Sequence, residues 1–168
     1  MMKAKLGPSE FKNLRGIEYF KFEEDFIEEN VRCIPMIVRF KMDETGIKLK
    51  LSAWSRFLPE ERIELALMKT TTIAEKKHYR RFLMELIAKY TDNGATELAI
   101  DPFPAWRNLQ QIPAILIEKS EELHLNISIS QWQNLTDIKR FALLKLCRPG
   151  HENKNFPKAV TEFGLLTH

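Results

Sequence analysis

The chain has 168 residues, 44% of them hydrophobic, which is enough to bury one substantial core. Its formal net charge of +3 is too small to indicate a nucleic-acid binder by itself. Residues 1–8 lack the apolar segment of a secretory leader, and no apolar run approaches the length that crosses a bilayer. We therefore expect a single domain over 1–168 that resides in the cytoplasm and has no membrane partner.

The N-terminal part of the sequence combines a lead-in with an acidic stretch. Glycines and a proline interrupt residues 1–16, which predicts a loosely ordered segment. Residues 18–29 hold six acidic side chains against one lysine, a net charge of −5. Phe20 and Phe22 alternate with charged residues there, so we expect a brief extended entry before a short acidic helix.

The next stretch predicts a helix and then a short strand. Pro35 suits a helix start because it has no N–H to leave unpaired, and Gly46 suits a left-handed residue just after a helix end. The residues between them are therefore predicted to be helical. Over 47–51, three apolar residues alternate with Lys48 and Lys50. This pattern predicts a strand with both amines on one face.

Two helices are expected after this strand. Ser52 is expected to cap a short helix that carries Trp54. Pro59 and the two glutamates that follow it suit the first turn of another helix, which carries Arg62. The predicted module is thus helix, strand, tryptophan-bearing turn and helix.

The same module occurs twice in the sequence. Residues 34–68 align without a gap with 112–146, where average composition would give roughly two identities. Nine pairs are identical: Ile34/Ile112, Pro35/Pro113, Ile37/Ile115, Lys41/Lys119, Glu44/Glu122, Ser52/Ser130, Trp54/Trp132, Arg62/Arg140 and Leu65/Leu143. A chance match of two amphipathic helices is the alternative to duplication, but it would not preserve proline, serine, tryptophan and arginine at fixed spacing.

The predicted fold class is mainly α, a single compact domain of two fused helix–strand–helix repeats with a small two-stranded β element. A lone short strand leaves its backbone groups unpaired, so we expect 47–51 to pair with 125–129. Structural roles are expected for Pro35, Gly46, Trp54, Arg62, Pro113, Trp132 and Arg140. The two arginines are expected to stack on the tryptophans or to pair with Glu44 and Glu122.

One long helix and a connector are predicted between the two copies. Thr72 is expected to cap a helix over 73–91, whose apolar stripe begins at Ile73. Residues 94–111 contain two prolines and are expected to form an irregular connector. A short final helix is expected to end at Gly164.

The motifs that most specifically indicate an enzyme are absent from the sequence. It has no Gly-rich phosphate loop, no nucleophile elbow and no His-Glu-x-x-His helix. We expect no catalytic residue, no cofactor and no metal site. A cysteine enzyme that uses Cys33, activated by a histidine such as His151, is an alternative. Buried structural thiols are the other explanation for Cys33 and Cys147.

A nucleic-acid-binding regulator is a second alternative. The predicted helix 73–91 carries a cationic face that would meet phosphates, formed by Lys76, Lys77, Arg80 and Arg81. A solvated helix face is the ordinary explanation of such a cluster.

Several strings resemble the nitrate reductase-associated protein family of cyanobacteria and some other bacteria. They are Phe20-Lys-Phe-Glu-Glu-Asp-Phe26, Arg32-Cys-Ile-Pro-Met-Ile-Val-Arg39, Lys41-Met-Asp43, Gly46-Ile-Lys-Leu-Lys-Leu-Ser-Ala-Trp54, Arg140-Phe-Ala-Leu-Leu-Lys-Leu146, His151-Glu-Asn-Lys-Asn-Phe156 and Glu162-Phe-Gly164. The resemblance covers nearly all of 20–165, and it departs from the family pattern near 68–72.

This resemblance implies a process rather than a reaction. It implies a non-catalytic accessory protein of nitrate assimilation, which supports maturation or activity of nitrate reductase by binding the reductase or one of its maturation factors. The contact candidates are the polar members of these strings that we expect to be exposed: Arg32, Arg39, Asp43, Lys48, His151, Asn153 and Asn155. The resemblance carries no catalytic residue over to this chain.

Overall fold

The computed structural model describes residues 11–24, 27 and 33–166, with the side chains of residues 151 and 152 outside the description. Eight α-helices and one two-stranded antiparallel sheet occur within these residues. The mainly α class and the small β element predicted from the sequence are therefore confirmed.

The described residues divide into two compact units. Those up to Tyr19, together with Glu23–Ile100, form the first unit, and Phe20–Phe22 with the residues from Asp101 onward form the second. Each unit contains one copy of the predicted repeat. A single domain over 1–168 stays a prediction.

The first unit contains four helices and both strands. Its elements are α1 (Met36–Thr45), β1 (Ile47–Lys48), α2 (Leu51–Trp54), α3 (Pro59–Leu67), α4 (Ile73–Tyr90) and β2 (Thr96–Glu97). Its core joins Val38, Trp54, Leu65, Tyr79 and Leu83, none of which has measurable exposure. The apolar faces of α1, α3 and α4 therefore meet around Trp54.

The second unit contains four helices. They are α5 (Ala114–Glu122), α6 (Ile129–Asn134), α7 (Asp137–Leu146) and α8 (Phe156–Glu162), with 3₁₀ turns at Ala105–Arg107 and His151–Asn155. Trp132, Leu116, Leu143 and Phe156 are fully buried in it. A further 3₁₀ turn comprises Lys21–Glu23. The first two of its residues are assigned to the second unit, and Glu23 is assigned to the first.

The ends of α1 follow the prediction. Pro35 stands immediately before the helix, and Gly46 follows its end with a φ of 73°. Gly46 is also tightly packed against residues 98 and 100. A Cβ added there would lie 2.8 Å from the Leu98 carbonyl oxygen and 3.0 Å from Cγ1 of Ile100. Only glycine satisfies both conditions without strain. The N–H of Leu98 donates to the Gly46 carbonyl at 2.8 Å, which extends the strand pairing.

The predicted strand pairing is wrong. Residues 47–48 pair antiparallel with 96–97, in the register Ile47 to Glu97 and Lys48 to Thr96. In the second copy, α5 ends at Glu122, His124 lies in the left-handed region, and α6 begins at Ile129. Of the predicted second strand, Ile129 instead begins α6 and Ser128 caps that helix, so this end of the segment is used in the helix start. The partner strand comes instead from 94–111, which we had expected to be irregular throughout.

The predicted cap at Ser52 is also wrong. Lys50 precedes α2 and Ser52 lies inside the helix, because the chain turns helical earlier than the alternating pattern indicated. In the second copy, Ser128 caps α6 through a reciprocal pair of hydrogen bonds. Its hydroxyl accepts from the Gln131 N–H at 3.1 Å, and the Gln131 side chain accepts from the Ser128 N–H at 2.9 Å.

Helix α4 begins with the predicted Thr72 cap, whose hydroxyl accepts from the Glu75 N–H at 3.1 Å. Its buried stripe contains Tyr79, Leu83, Leu86 and Ile87. Ile73 was expected on this stripe, but 76% of it is exposed. Tyr79 follows Ile73 by six positions, and this spacing places the two side chains on different faces of a helix.

The predicted lead-in over 1–16 lies partly outside the described residues. Within the described part, Phe11 is buried and its ring stacks on Trp54, with centroids 6.3 Å apart. This end of the lead-in therefore contributes to the first core.

The two copies of the repeat have matching local structure. The helices α1, α2 and α3 begin at residues 36, 51 and 59, and α5, α6 and α7 begin 78 residues later at 114, 129 and 137. Trp54 and Trp132 are both fully buried. Arg62 lies over the Trp54 ring at 6.0 Å, and Arg140 lies over Trp132 at 5.8 Å. Duplication itself stays a prediction that this correspondence supports.

Gly46→Ala tests the close approach at the end of α1. We expect it to lower the free energy of unfolding by about 2 kcal/mol or more, since alanine would meet the Leu98 carbonyl and adopt a left-handed conformation. Gly94→Ala is the matched control, because a Cβ at that position has no atom within 4 Å and its φ is ordinary. Urea denaturation measures both. Equal stability of the two variants would contradict the tight packing described at Gly46.

Candidate partner-binding surface

Three of the predicted contact residues lie in the first unit. Arg39 is half-buried and Asp43 is exposed, and they stand one turn apart on α1. Lys48 is exposed on β1. Arg32 falls outside the described residues. The first unit thus brings acidic and basic candidates onto α1 and the strand that follows it.

The candidates of the second unit occupy the 3₁₀ turn His151–Asn155. Asn153 is half-buried, and its amide nitrogen donates to the Leu146 carbonyl at 3.1 Å. Its amide oxygen accepts from Lys119 Nζ at 2.8 Å. The expected exposure of Asn155 is wrong: only 6% of it is exposed, because it immediately precedes Phe156 of the core. The side chain of His151 lies outside the described part of the chain.

Lys41 and Lys119 occupy equivalent positions in the two repeats, and each contributes hydrogen bonds at the end of the last helix of its repeat. Lys41 Nζ donates to the carbonyls of Ala66 at 2.6 Å and Met68 at 2.5 Å, at the end of α3. Lys119 reaches the end of α7 through the amide of Asn153. Burial lowers the pKa of Lys41 to about 8, although the nearby Glu44 carboxylate opposes this shift. Lys41 satisfies helix-end carbonyls directly, whereas Lys119 donates to the side chains of Asn153 and Glu122, and both are structural roles.

A cleft of about 280 Å³ lies beside β1 in the first unit, and we call it the β1–α2 cleft. It is lined by Lys48, Leu49, Lys50, Ala53, Arg56, Ile87 and the segment 91–96, among others. Leu49, Ala53 and Ile87 are buried and form an apolar lining. Lys48 and Lys50 are exposed, so cations stand beside this apolar surface.

The cleft has an excess of positive charge. Lys48, Lys50 and Arg56 line it, and Asp92 is its one acidic lining residue. Within the described residues, neither Lys48 nor Lys50 takes part in an ion pair. Arg56 is held in place, because its Nη1 donates to the Tyr90 carbonyl at 3.0 Å. An anionic group would therefore find cations that no described carboxylate already neutralises.

Sequence reasoning identified only part of this cleft. Lys48 was a candidate, and the alternating pattern already placed Lys50 on the same face. Arg56 and the wall formed by 91–96 were missed. The segment 91–96 joins the lysines through the pairing of β1 with β2, which no local pattern indicated, and Arg56 lies outside the alternating stretch.

The cationic face of α4 is partly neutralised by its own unit. Lys76 Nζ lies 3.7 Å from a Glu44 carboxylate oxygen, and Arg80 pairs with Glu97. Arg80 also donates to the Thr45 carbonyl at 2.7 Å. Lys77 and Arg81 are exposed. Two of the four basic residues therefore have intramolecular roles.

The two cysteines are not joined in a disulfide and lie in different environments. Cys33 is half-buried, and its Sγ lies 3.5 Å from the Ile34 carbonyl oxygen. Cys147 is buried, and burial raises the pKa of its thiol to about 12. A thiol with so high a pKa carries almost no thiolate at neutral pH.

Neither a metal-binding cluster nor a membrane-spanning helix occurs among the described residues. Across 11–24, 27 and 33–166, no three His, Cys, Asp or Glu residues are grouped so that they could hold a metal ion. None of the helices in that part of the chain combines the length and apolarity needed to cross a membrane.

Comparison with known proteins gives one match. Residues 19–163 match the family described as conserved nitrate reductase-associated protein. Neither the curated proteins nor the solved structures contain a match to this chain. The family match covers most of the sequence and includes Trp54, Trp132, the two arginines that stack on them and the β1–α2 cleft. The chain therefore belongs to the conserved nitrate reductase-associated protein family.

Proposed function

We propose that this protein is a non-catalytic, cytoplasmic accessory protein of nitrate assimilation, which binds nitrate reductase or one of its maturation factors. The observation that carries the proposal is the family match over 19–163. The family name associates these proteins with the reductase, and protein–protein binding is the simplest physical form of such an association.

The first unit offers the contact surface for this binding. Asp43 and Lys48 are exposed with opposite charges on α1 and β1, and the β1–α2 cleft adjoins Lys48. Charges of both signs at an interface favour one orientation of the partner and reject others. Arg32 and His151 stay contact predictions. Asn153 and Asn155 are better explained as structural residues, because one bonds backbone carbonyls and the other is buried.

A thiol enzyme has less support. The half-buried Cys33 directs its Sγ toward a backbone carbonyl, and the buried Cys147 has a raised pKa. A nucleic-acid-binding regulator has less support as well, because Lys76 and Arg80 on α4 have carboxylate partners.

An affinity pull-down from the native host grown on nitrate tests the proposed function. We expect the tagged protein to recover nitrate reductase or one of its maturation factors. The double variant D43K/K48E should lose that partner, since it exchanges the two charges on the proposed surface without changing the net charge.

The matched control is K77E/E85K, which makes the same kind of exchange at two exposed residues of α4. It should retain the partner, and circular dichroism should show that both variants fold. The absence of the reductase and of its maturation factors from every pull-down would contradict the proposal.

Alkylation of the two cysteines tests the thiol-enzyme alternative. At pH 8 we expect Cys147 in the folded protein to react far more slowly than in urea, because a rise in thiol pKa from 9 to about 12 reduces the thiolate about a thousandfold. Cys33 should react at an intermediate rate. Mass spectrometry of iodoacetamide-treated peptides gives both rates. A Cys33 that reacts faster in the folded than in the unfolded chain would instead favour an activated nucleophile.

A further inference from the structure

The β1–α2 cleft combines an apolar surface with a cationic one. Leu49, Ala53 and Ile87 provide an apolar lining, and Lys48, Lys50 and Arg56 add positive charge around it. A ligand that fits the cleft must therefore present both an apolar group and an anionic group.

The cations of the cleft are available to bind an anionic group from another molecule. Among the described residues, Lys48 and Lys50 have no carboxylate partner, and Arg56 donates one N–H to the Tyr90 carbonyl. The guanidinium has five N–H donors, so four remain for a ligand. Since Asp92 is the one acidic residue in the lining, the cleft keeps a net positive charge.

The size of the cleft favours side chains over a whole cofactor. Its volume of about 280 Å³ falls at the lower edge of the range of roughly 300–1,000 Å³ found for small-molecule sites. One carboxylate side chain and a neighbouring aliphatic side chain would fill such a space. A protein segment supplies both groups on adjacent positions of one chain.

We infer that the β1–α2 cleft binds an acidic segment of a partner protein. A Glu or Asp side chain of that segment lies among Lys48, Lys50 and Arg56, and an apolar neighbour packs on Leu49, Ala53 and Ile87. The identity of the partner as nitrate reductase or a maturation factor rests on the proposed function. The chemistry of the bound segment does not, because it follows from the lining of the cleft.

Fluorescence anisotropy with two sets of labelled peptides tests the inference on the purified protein. One set is a library of short peptides in which glutamate and leucine occupy neighbouring positions. The other covers the sequences of the host nitrate reductase and its maturation factors. We expect acidic peptides with a leucine neighbour to bind, and to bind more weakly as salt is raised.

The variant K48E/K50E should weaken peptide binding by about tenfold or more, since it removes two attractions and adds two repulsions. The matched control is K77E/R81E, which makes the same change in net charge on the exposed face of α4. It should bind nearly as the wild type does. Ser52→Trp locates the site without any change in charge, because Ser52 is an exposed residue of the lining and a tryptophan there would obstruct the cleft. Thermal unfolding should show that all three variants fold.

The possible results separate this inference from the proposed function. Equal weakening by K48E/K50E and K77E/R81E, or no binding by any acidic peptide, would overturn the inference even if the reductase is recovered in pull-downs. Library peptides that bind through Lys48 and Lys50, with no binding by reductase or maturation-factor peptides, would support the cleft and count against the proposed partner.

Discussion

The structure depends on an arginine that is buried against a tryptophan in each unit. Arg62 donates to the Phe57 carbonyl at 2.6 Å and lies over the Trp54 ring. Arg140 donates to the Leu135 carbonyl, which is the corresponding position, and also to the Trp106 carbonyl at 2.7 Å. A buried charge is costly unless its hydrogen bonds are satisfied, so each guanidinium fixes the turn between two helices in one geometry. The tryptophan then organises the apolar side chains around that turn.

That local order positions the surface to which we assign function. Trp54 anchors α2, and Gly46 lets the chain turn directly from α1 into β1 against the Leu98 carbonyl. The pairing of β1 with β2 brings the segment 91–96 beside Lys48 and forms the wall of the β1–α2 cleft. The functional surface is thus a consequence of the same glycine and tryptophan that stabilise the first unit.

The sequence contained enough information for the helices and for the residues that stabilise them, because caps, glycine and proline act locally. The limits of α1 and the Thr72 cap followed from such local signals, whereas stacking of Arg62 and Arg140 on the tryptophans was one of two roles that the repeat spacing left open. The strand partner did not, because alternation of apolar residues states which face is buried and not which segment lies beside it. Lys48 was identified as a candidate from its own stretch of sequence. The segment 91–96 was missed because it reaches the cleft through this pairing, and Arg56 was missed because it lies outside the alternating stretch. The exposure of Asn155 was misjudged because polarity alone does not show which side chains of a 3₁₀ turn face the core.

Hydrogen–deuterium exchange of the protein alone and with purified nitrate reductase or a purified maturation factor shows whether a partner occupies the β1–α2 cleft. It reports on backbone amides and needs no substitution in the cleft. We expect slower exchange in residues 47–56 and 91–96 when the partner is present, with little change on the exposed face of α4. Unchanged exchange around the β1–α2 cleft, with protection confined to other segments or absent altogether, would contradict this expectation.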